Sequence, residues 1–168
     1  GSSDTLDLGS SSYILTLANA GATATVFTVL GTLTPGTSTV KYSATNSGGN
    51  INVATTTYSS LQFSGAETYV LTGHLTGSNG LSGGVTIDSG ATLDVTASNY
   101  NMDVAGNWTN NGDFTDQAGT VTLDGSTQQT LSGQMTASSS FNRLTFLNGG
   151  AKTFSGHAST TDALTINS

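Results

Sequence analysis

Few side chains in this sequence can do chemistry, and their spacing selects little. Carboxylates fall in two close pairs, Asp88 with Asp94 and Asp113 with Asp116. Glycoside hydrolysis needs two carboxyls placed across a substrate. Polysaccharide elimination would add a Lys or Arg against the developing enolate charge, and the only cations are Lys41, Arg143 and Lys152. Three scattered cations favour reading these carboxylates as solvent-side turn residues. Asp4, Asp7, Asp88 and Asp94 would offer hard oxygens to Ca²⁺, which takes six to eight of them. No EF-hand loop or Gly-Gly-x-Gly-x-Asp repeat accompanies them, so no metal is expected. His74 and His157 each follow a glycine, and without further ligands beside them they read as turn histidines. Ser and Asp occur too widely for any spacing to select a nucleophilic triad. The expectation is a chain with no catalytic residue, no metal site and no cofactor.

The elements carrying these residues follow from composition. Of 168 residues, 22 are Gly and only 8% are charged, against roughly 25% in ordinary globular proteins. With one Glu, two Lys, one Arg and five Gln, good helix formers with long polar side chains are nearly absent, which argues against a helical protein. Disorder couples low hydrophobicity to high charge and much proline. Here the net charge is −7 and Pro35 is the sole proline, so an ordered all-β chain with a thin core is expected. Three cations cannot neutralise a nucleic-acid backbone. No apolar run approaches the roughly 18 residues that span a bilayer as a helix. The lack of Cys removes disulfide and thiolate chemistry.

Self-similarity is the main signal. Thr5-Leu6-Asp7-Leu8 matches Thr92-Leu93-Asp94-Val95 at an offset of 87 residues, and Thr39–Tyr42 matches Thr120–Leu123 at 81. Tyr58–Phe63 matches Phe141–Phe146 at 83, and Val85–Ser89 matches Leu164–Ser168 at 79. Five ordered matches, Gly73-His74 with Gly156-His157 among them, divide the chain into modules 4–90 and 91–168. Placing the end of the sequence before its start gives Thr-Ile-Asn-Ser, then Gly-Ser-Ser-Asp-Thr-Leu-Asp-Leu. This echoes the internal junction Thr86–Val95, as in a window of a tandem array or a subunit whose ends imitate a continuous chain.

In the second module candidate strands recur about every eight residues, bounded by turn sequences such as Asn110-Asn111-Gly112, Asp124-Gly125-Ser126 and Asn148-Gly149-Gly150. Strands with two or three inward apolar residues suit a parallel β-helix of about six or seven rungs, right-handed by the usual crossover rule. Two immunoglobulin-like β-sandwich modules are the competing fold. The Thr-x-Thr pairs Thr23/Thr25, Thr55/Thr57 and Thr120/Thr122 are spaced too irregularly for a flat threonine ladder and read as strand surface. Tyr13, Tyr42, Tyr58, Tyr69, Tyr100 and Trp108 would suit sugar stacking, but their alternating positions favour the core.

The run from Gly90-Ala91-Thr92-Leu93-Asp94-Val95 through Gly106-Asn107-Trp108-Thr109-Asn110-Asn111-Gly112, Gly119–Gly125 and Phe141–Phe146 resembles the tandem β-solenoid repeats of large bacterial and archaeal cell-surface or adhesin-like proteins. The likeness covers 91–168 and, more loosely, 4–90, where Ala22–Leu33 departs from it. The resemblance implies an elongated scaffold and carries no catalytic residues. The leading expectation is a non-enzymatic, extracellular or cell-surface structural module. Its copies would associate head to tail through open rung edges at Leu6, Leu8, Leu164 and Ile166, stacking as Ile87 and Leu93 do internally. The rival is a module binding carbohydrate or another surface through Thr, Asn and Tyr.

Overall fold

Strands of three to seven residues, with Thr and Ser alternating against Val, Leu, Ile and Phe, are too short to form broad sheets along the chain. They gain partners by stacking one turn on the next. The computed structural model describes residues 4–19, 24–43 and 49–167. Among these residues seventeen strands lie on three faces, and the strands pair in parallel.

Face A stacks β2 (Ile14–Leu17), β4 (Thr39–Tyr42), β6 (Ser60–Phe63), β8 (Val85–Ile87), β11 (Trp108–Asn110), β14 (Gln129–Gly133) and β16 (Lys152–Phe154). Face B stacks β5 (Ile51–Val53), β7 (Thr68–Leu71), β9 (Thr92–Asp94) and β12 (Asp113–Thr115). Face C stacks β10 (Met102–Val104), β13 (Thr120–Leu123), β15 (Phe141–Phe146) and β17 (Thr160–Ile166). The pair β1 (Thr5–Asp7) and β3 (Thr32–Thr34) occupies the face C place in the first two turns, by its position in the chain before β2 and β4. Each turn runs C, A, B.

The fold is therefore a parallel β-solenoid of about seven turns, and the sandwich alternative, which needs antiparallel pairing, is overturned. At about 4.8 Å per turn the stack is on the order of 34 Å long. One inward column on face A reads Leu15, Val40, Leu61, Val85, Trp108, Leu131 and Phe154. Its members are 21 to 25 residues apart, which is the structural period. On face C, Tyr58, Leu81, Val104, Leu123, Phe146 and Ile166 form a second column.

This period gives the sequence matches a different meaning. Leu6 lies on face C but its match Leu93 on face B; Val40 and Leu61 lie on face A but Val121 and Leu144 on face C. Val85 on face A matches Leu164 on face C. Each match advances three turns and two further faces. The similar segments are thus rotated one face relative to each other, and modules 4–90 and 91–168 run as one solenoid without superposing by whole turns. Ile87 and Leu93 likewise sit on adjacent faces, Ile87 between Phe63 and Asn110 and Leu93 between Tyr69 and Phe114. They do not stack on each other.

Polar groups inside the stack satisfy the corners. Buried Asn110 accepts from the Gly112 N–H at 3.1 Å and donates to the Gln134 carbonyl at 2.8 Å. Buried Gln129 accepts from the Gly125 N–H at 2.8 Å and donates to the Val104 carbonyl at 2.8 Å. Where corners pile up, backbone lies on backbone. A methyl group on Gly106 would overlap the Gly83 and Gly84 backbone, so only glycine fits there.

Candidate functional site

Interior columns are closed above and below, but the terminal ones are not. At the first turn the inward Leu6 is 46% exposed, with Ile14 at 62% in an outward position opposite Thr39 and Leu30 at 84% ahead of β3; at the last, the inward Phe154 is 39%, Leu164 51% and Ile166 74%. Leu144, on which Leu164 stacks, is 1% exposed, so one covering strand makes the difference. Leu8 is half-buried, its N–H donating to the Thr34 carbonyl at 2.9 Å. Grooves mark both ends. One of about 260 Å³ is lined by Leu6, Phe27, Val29, Leu30 and Leu33. Another of about 330 Å³ lies among Phe146, Leu147, Lys152 and Ile166. Of the four residues expected to form an end-to-end interface, Leu6 lies in β1, Leu164 and Ile166 in β17, and Leu8 directly after β1.

The remaining chemistry-bearing residues are dispersed. Asp88 accepts from the Gln62 amide at 2.8 Å, and Asp94 from the Thr96 N–H at 2.7 Å. Asp7 accepts from the Gly9 N–H at 2.8 Å. Asp4 and Asp7 belong to the first turn, and Asp88 and Asp94 to the fourth, about 14 Å along the stack. Among the described residues no cluster of three or more His, Cys, Asp or Glu could hold a metal ion. His74 and His157 sit three turns and two faces apart, roughly 18 Å along the stack. His74 Nδ1 accepts from the Asn101 N–H at 3.0 Å, and its ring meets Tyr100 edge-on.

Tyr42, Tyr58, Tyr69 and Trp108 are fully buried, so the sugar-stacking set does not assemble on a surface. Face A does present aligned hydroxyls: Thr86, Thr109 and Ser132 occupy successive turns in one outward column. On face C, Thr122, Thr145 and Thr165 do the same. Thr23 of the first Thr-x-Thr pair lies outside the described residues. Irregular sequence spacing concealed these ladders because corner lengths vary while strand register does not. Gly84, with no side chain, leaves a shallow groove of about 350 Å³ among Thr39, Ser60, Gln62, Thr86, Asn107 and Thr109.

No family model matches the chain, and neither a curated protein nor a solved structure does.

One carboxyl outside the ends carries a distinct electrostatic signature. Asp116 Oδ2 is buried without a hydrogen-bond partner, and burial pushes the carboxyl up to about 6. A carboxyl whose folded value is raised holds its proton longer in the folded state. Its contribution is most favourable below the ordinary value near 3.9 and is lost as pH rises through 6. Asp116→Asn is expected to raise the melting temperature at pH 7, with the gap to the parent narrowing by pH 4. Thermal scans of both proteins across that range check it.

Proposed function

We propose that this chain is a non-enzymatic structural β-solenoid module of an extracellular filament or giant cell-surface protein, associating end to end through its open rung edges. The observation that supports this most directly is the confinement of large exposed apolar side chains to the two ends of the stack and its first turns. Open strand edges are templates for further pairing, and no helix covers either end among the described residues. A charged content of 8% leaves little repulsion between stacked copies. Asp88 and Asp94, one of the two carboxylate pairs considered for catalysis, are held by the Gln62 amide and the Thr96 N–H, which suits a scaffold better than an enzyme.

The test is Leu164→Asp with Ile166→Asp in the full chain, compared with the parent by analytical ultracentrifugation and cryo-electron microscopy. The parent is expected to form rods with an axial repeat near 4.8 Å, while the double variant stays monomeric. A parent that remains monomeric at millimolar concentration would refute end-to-end association.

The groove beside Gly84 supports a second reading, a carbohydrate- or surface-binding module. Its lining of hydroxyls and amides would match the hydrogen-bonding pattern of a neutral glycan. Glycan-array binding by a strictly monomeric sample would favour it.

A further inference from the structure

Within this sequence only Asn107 is followed two positions later by Ser or Thr, giving Asn107-Trp108-Thr109. Asn-x-Thr is the acceptor pattern for N-linked glycans, which are bulky and need a surface position in a secreted chain. The fold supplies that position in the middle of face A. Asn107 follows the corner residue Gly106 and leads directly into β11. Strand alternation turns Asn107 and Thr109 outward, while Trp108 between them fills the core. Asn107 itself is exposed.

The Asn107 amide is already oriented. Its Oδ1 accepts from the Thr130 N–H of the next turn at 2.8 Å, which leaves Nδ2 on the side of the planar amide turned away from Thr130. Gly84 precedes Asn107 in the same outward column, because Val85 pairs with Trp108. A methyl group on Gly84 would overlap the Asn107 carbonyl, so backbone packing keeps that position bare. The groove of about 350 Å³ beside it, among Ser60, Gln62, Thr86, Asn107 and Thr109, falls within the size range of small-ligand sites. Its hydroxyls and carboxamides match the hydrogen-bonding groups of a sugar ring. A sugar on Nδ2 replaces one amide hydrogen and leaves the carbonyl intact, so the bond to Thr130 survives the modification.

We infer that Asn107 is the acceptor for an N-linked glycan whose first sugar lies over Gly84 in the groove on face A. In the transfer, Asn107 Nδ2 forms a bond to the anomeric carbon of a lipid-pyrophosphate-linked oligosaccharide. The bond from that carbon to the pyrophosphate oxygen breaks, and the lipid pyrophosphate leaves with the electron pair. One amide proton passes to a base of the transferase. Trp108 is fully buried once β11 forms, so the transfer precedes the folding of this turn. The modified chain carries its own sugar where the second reading above places a foreign glycan. The inference rests on the extracellular part of the proposed function and is independent of end-to-end association.

Translation of the full chain with and without microsomes that contain the lipid-linked donor and its transferase tests this. The parent is expected to gain a single upward band shift on a denaturing gel, reversed by an amidase that removes N-glycans. Thr109→Ser keeps the motif and should keep the shift. Thr109→Val retains the shape of threonine and leaves the Asn107 side chain in place, yet it should abolish the shift, as should Asn107→Gln. The shift is acquired before the chain folds, so a variant that folds poorly still reports on the site. A parent without a shift, or a shift that survives Thr109→Val, would overturn the acceptor site while leaving the ultracentrifugation test of end-to-end association untouched. In the purified glycoprotein, nuclear Overhauser contacts from the first sugar to the Thr86 methyl group are expected. A sugar in contact with Asn107 alone would overturn its seating over Gly84.

Discussion

Trp108→Ala is expected to lower the unfolding free energy by about 3–5 kcal/mol, the usual cost of removing a large buried aromatic. Trp108 is fully buried in the middle of the inward column of face A, between Val85 and Leu131. Its ring meets Phe114 of face B edge-on at 4.9 Å and Phe141 of face C at 5.4 Å, so one side chain ties all three faces together. In a solenoid each turn contacts only its neighbours, and a cavity here weakens the coupling between the two halves of the rod. Trp108→Phe should cost much less. The indole N–H is buried without a hydrogen-bond partner, and the smaller ring removes that unmet donor along with part of the volume. Urea denaturation of both variants checks the pair. Equal losses would refute this, since both variants remove the indole N–H and only Trp108→Ala removes the aromatic ring.

The sequence disclosed the class of fold more readily than its period. Alternation of Thr and Ser with Val, Leu and Phe, punctuated by Gly, Asn and Asp, already implied stacked short strands. All three faces use this same pattern, however, so a strand from one face aligns with a strand from another. Thr5-Leu6-Asp7 and Thr92-Leu93-Asp94 are near-identical in sequence but lie on different faces. Corner length varies as well: adjacent members of the face A column are 21 residues apart at Val40 to Leu61 and 25 at Leu15 to Val40. A variable period with an interchangeable face pattern leaves the alignment free to settle three turns and two faces away.

The outermost strands were legible for a simpler reason. Leu6, Leu164 and Ile166 carry the same large aliphatic side chains as the interior columns and alternate with Thr or Asp as those do. The internal polar residues were not legible. Asn110 reads as the start of an Asn-Asn-Gly turn, which it also is, and only the stacked geometry shows its side chain inside. Gln129 in Thr127-Gln128-Gln129-Thr130 gives no signal distinguishing it from Gln128. Yet Gln129 is buried, whereas Gln128 is exposed, its amide donating to the Thr153 hydroxyl at 3.2 Å.

The parent is expected to lose stability above about pH 10, and Tyr42→Phe with Tyr58→Phe should flatten that loss. The two hydroxyls lie 3.0 Å apart in the core, in a closed circuit with one backbone residue. The Ala54 N–H donates to the Tyr42 hydroxyl at 3.1 Å, and the Tyr58 hydroxyl donates to the Ala54 carbonyl at 2.8 Å. The Tyr42 proton is therefore directed at the Tyr58 oxygen, and every group in the ring is used once. Burial raises both phenols above their ordinary value near 10, and for Tyr58 the proximity of Tyr42 adds to it. Each phenol keeps its proton in the folded state where the unfolded chain would release it. Their contribution is complete below pH 10 and declines above it, with a limiting slope of about 1.4 kcal/mol per pH unit for each group. At pH 7 Tyr42→Phe alone should cost about 1–3 kcal/mol, because the Ala54 N–H loses its acceptor. The double variant should cost less than the sum of the two single changes, since either one already breaks the circuit. Chemical denaturation of the four proteins at pH 7 and pH 11 separates these effects. Additive costs would show that the two hydroxyls act independently of each other, and an unchanged alkaline slope in the double variant would show that they do not cause the alkaline loss.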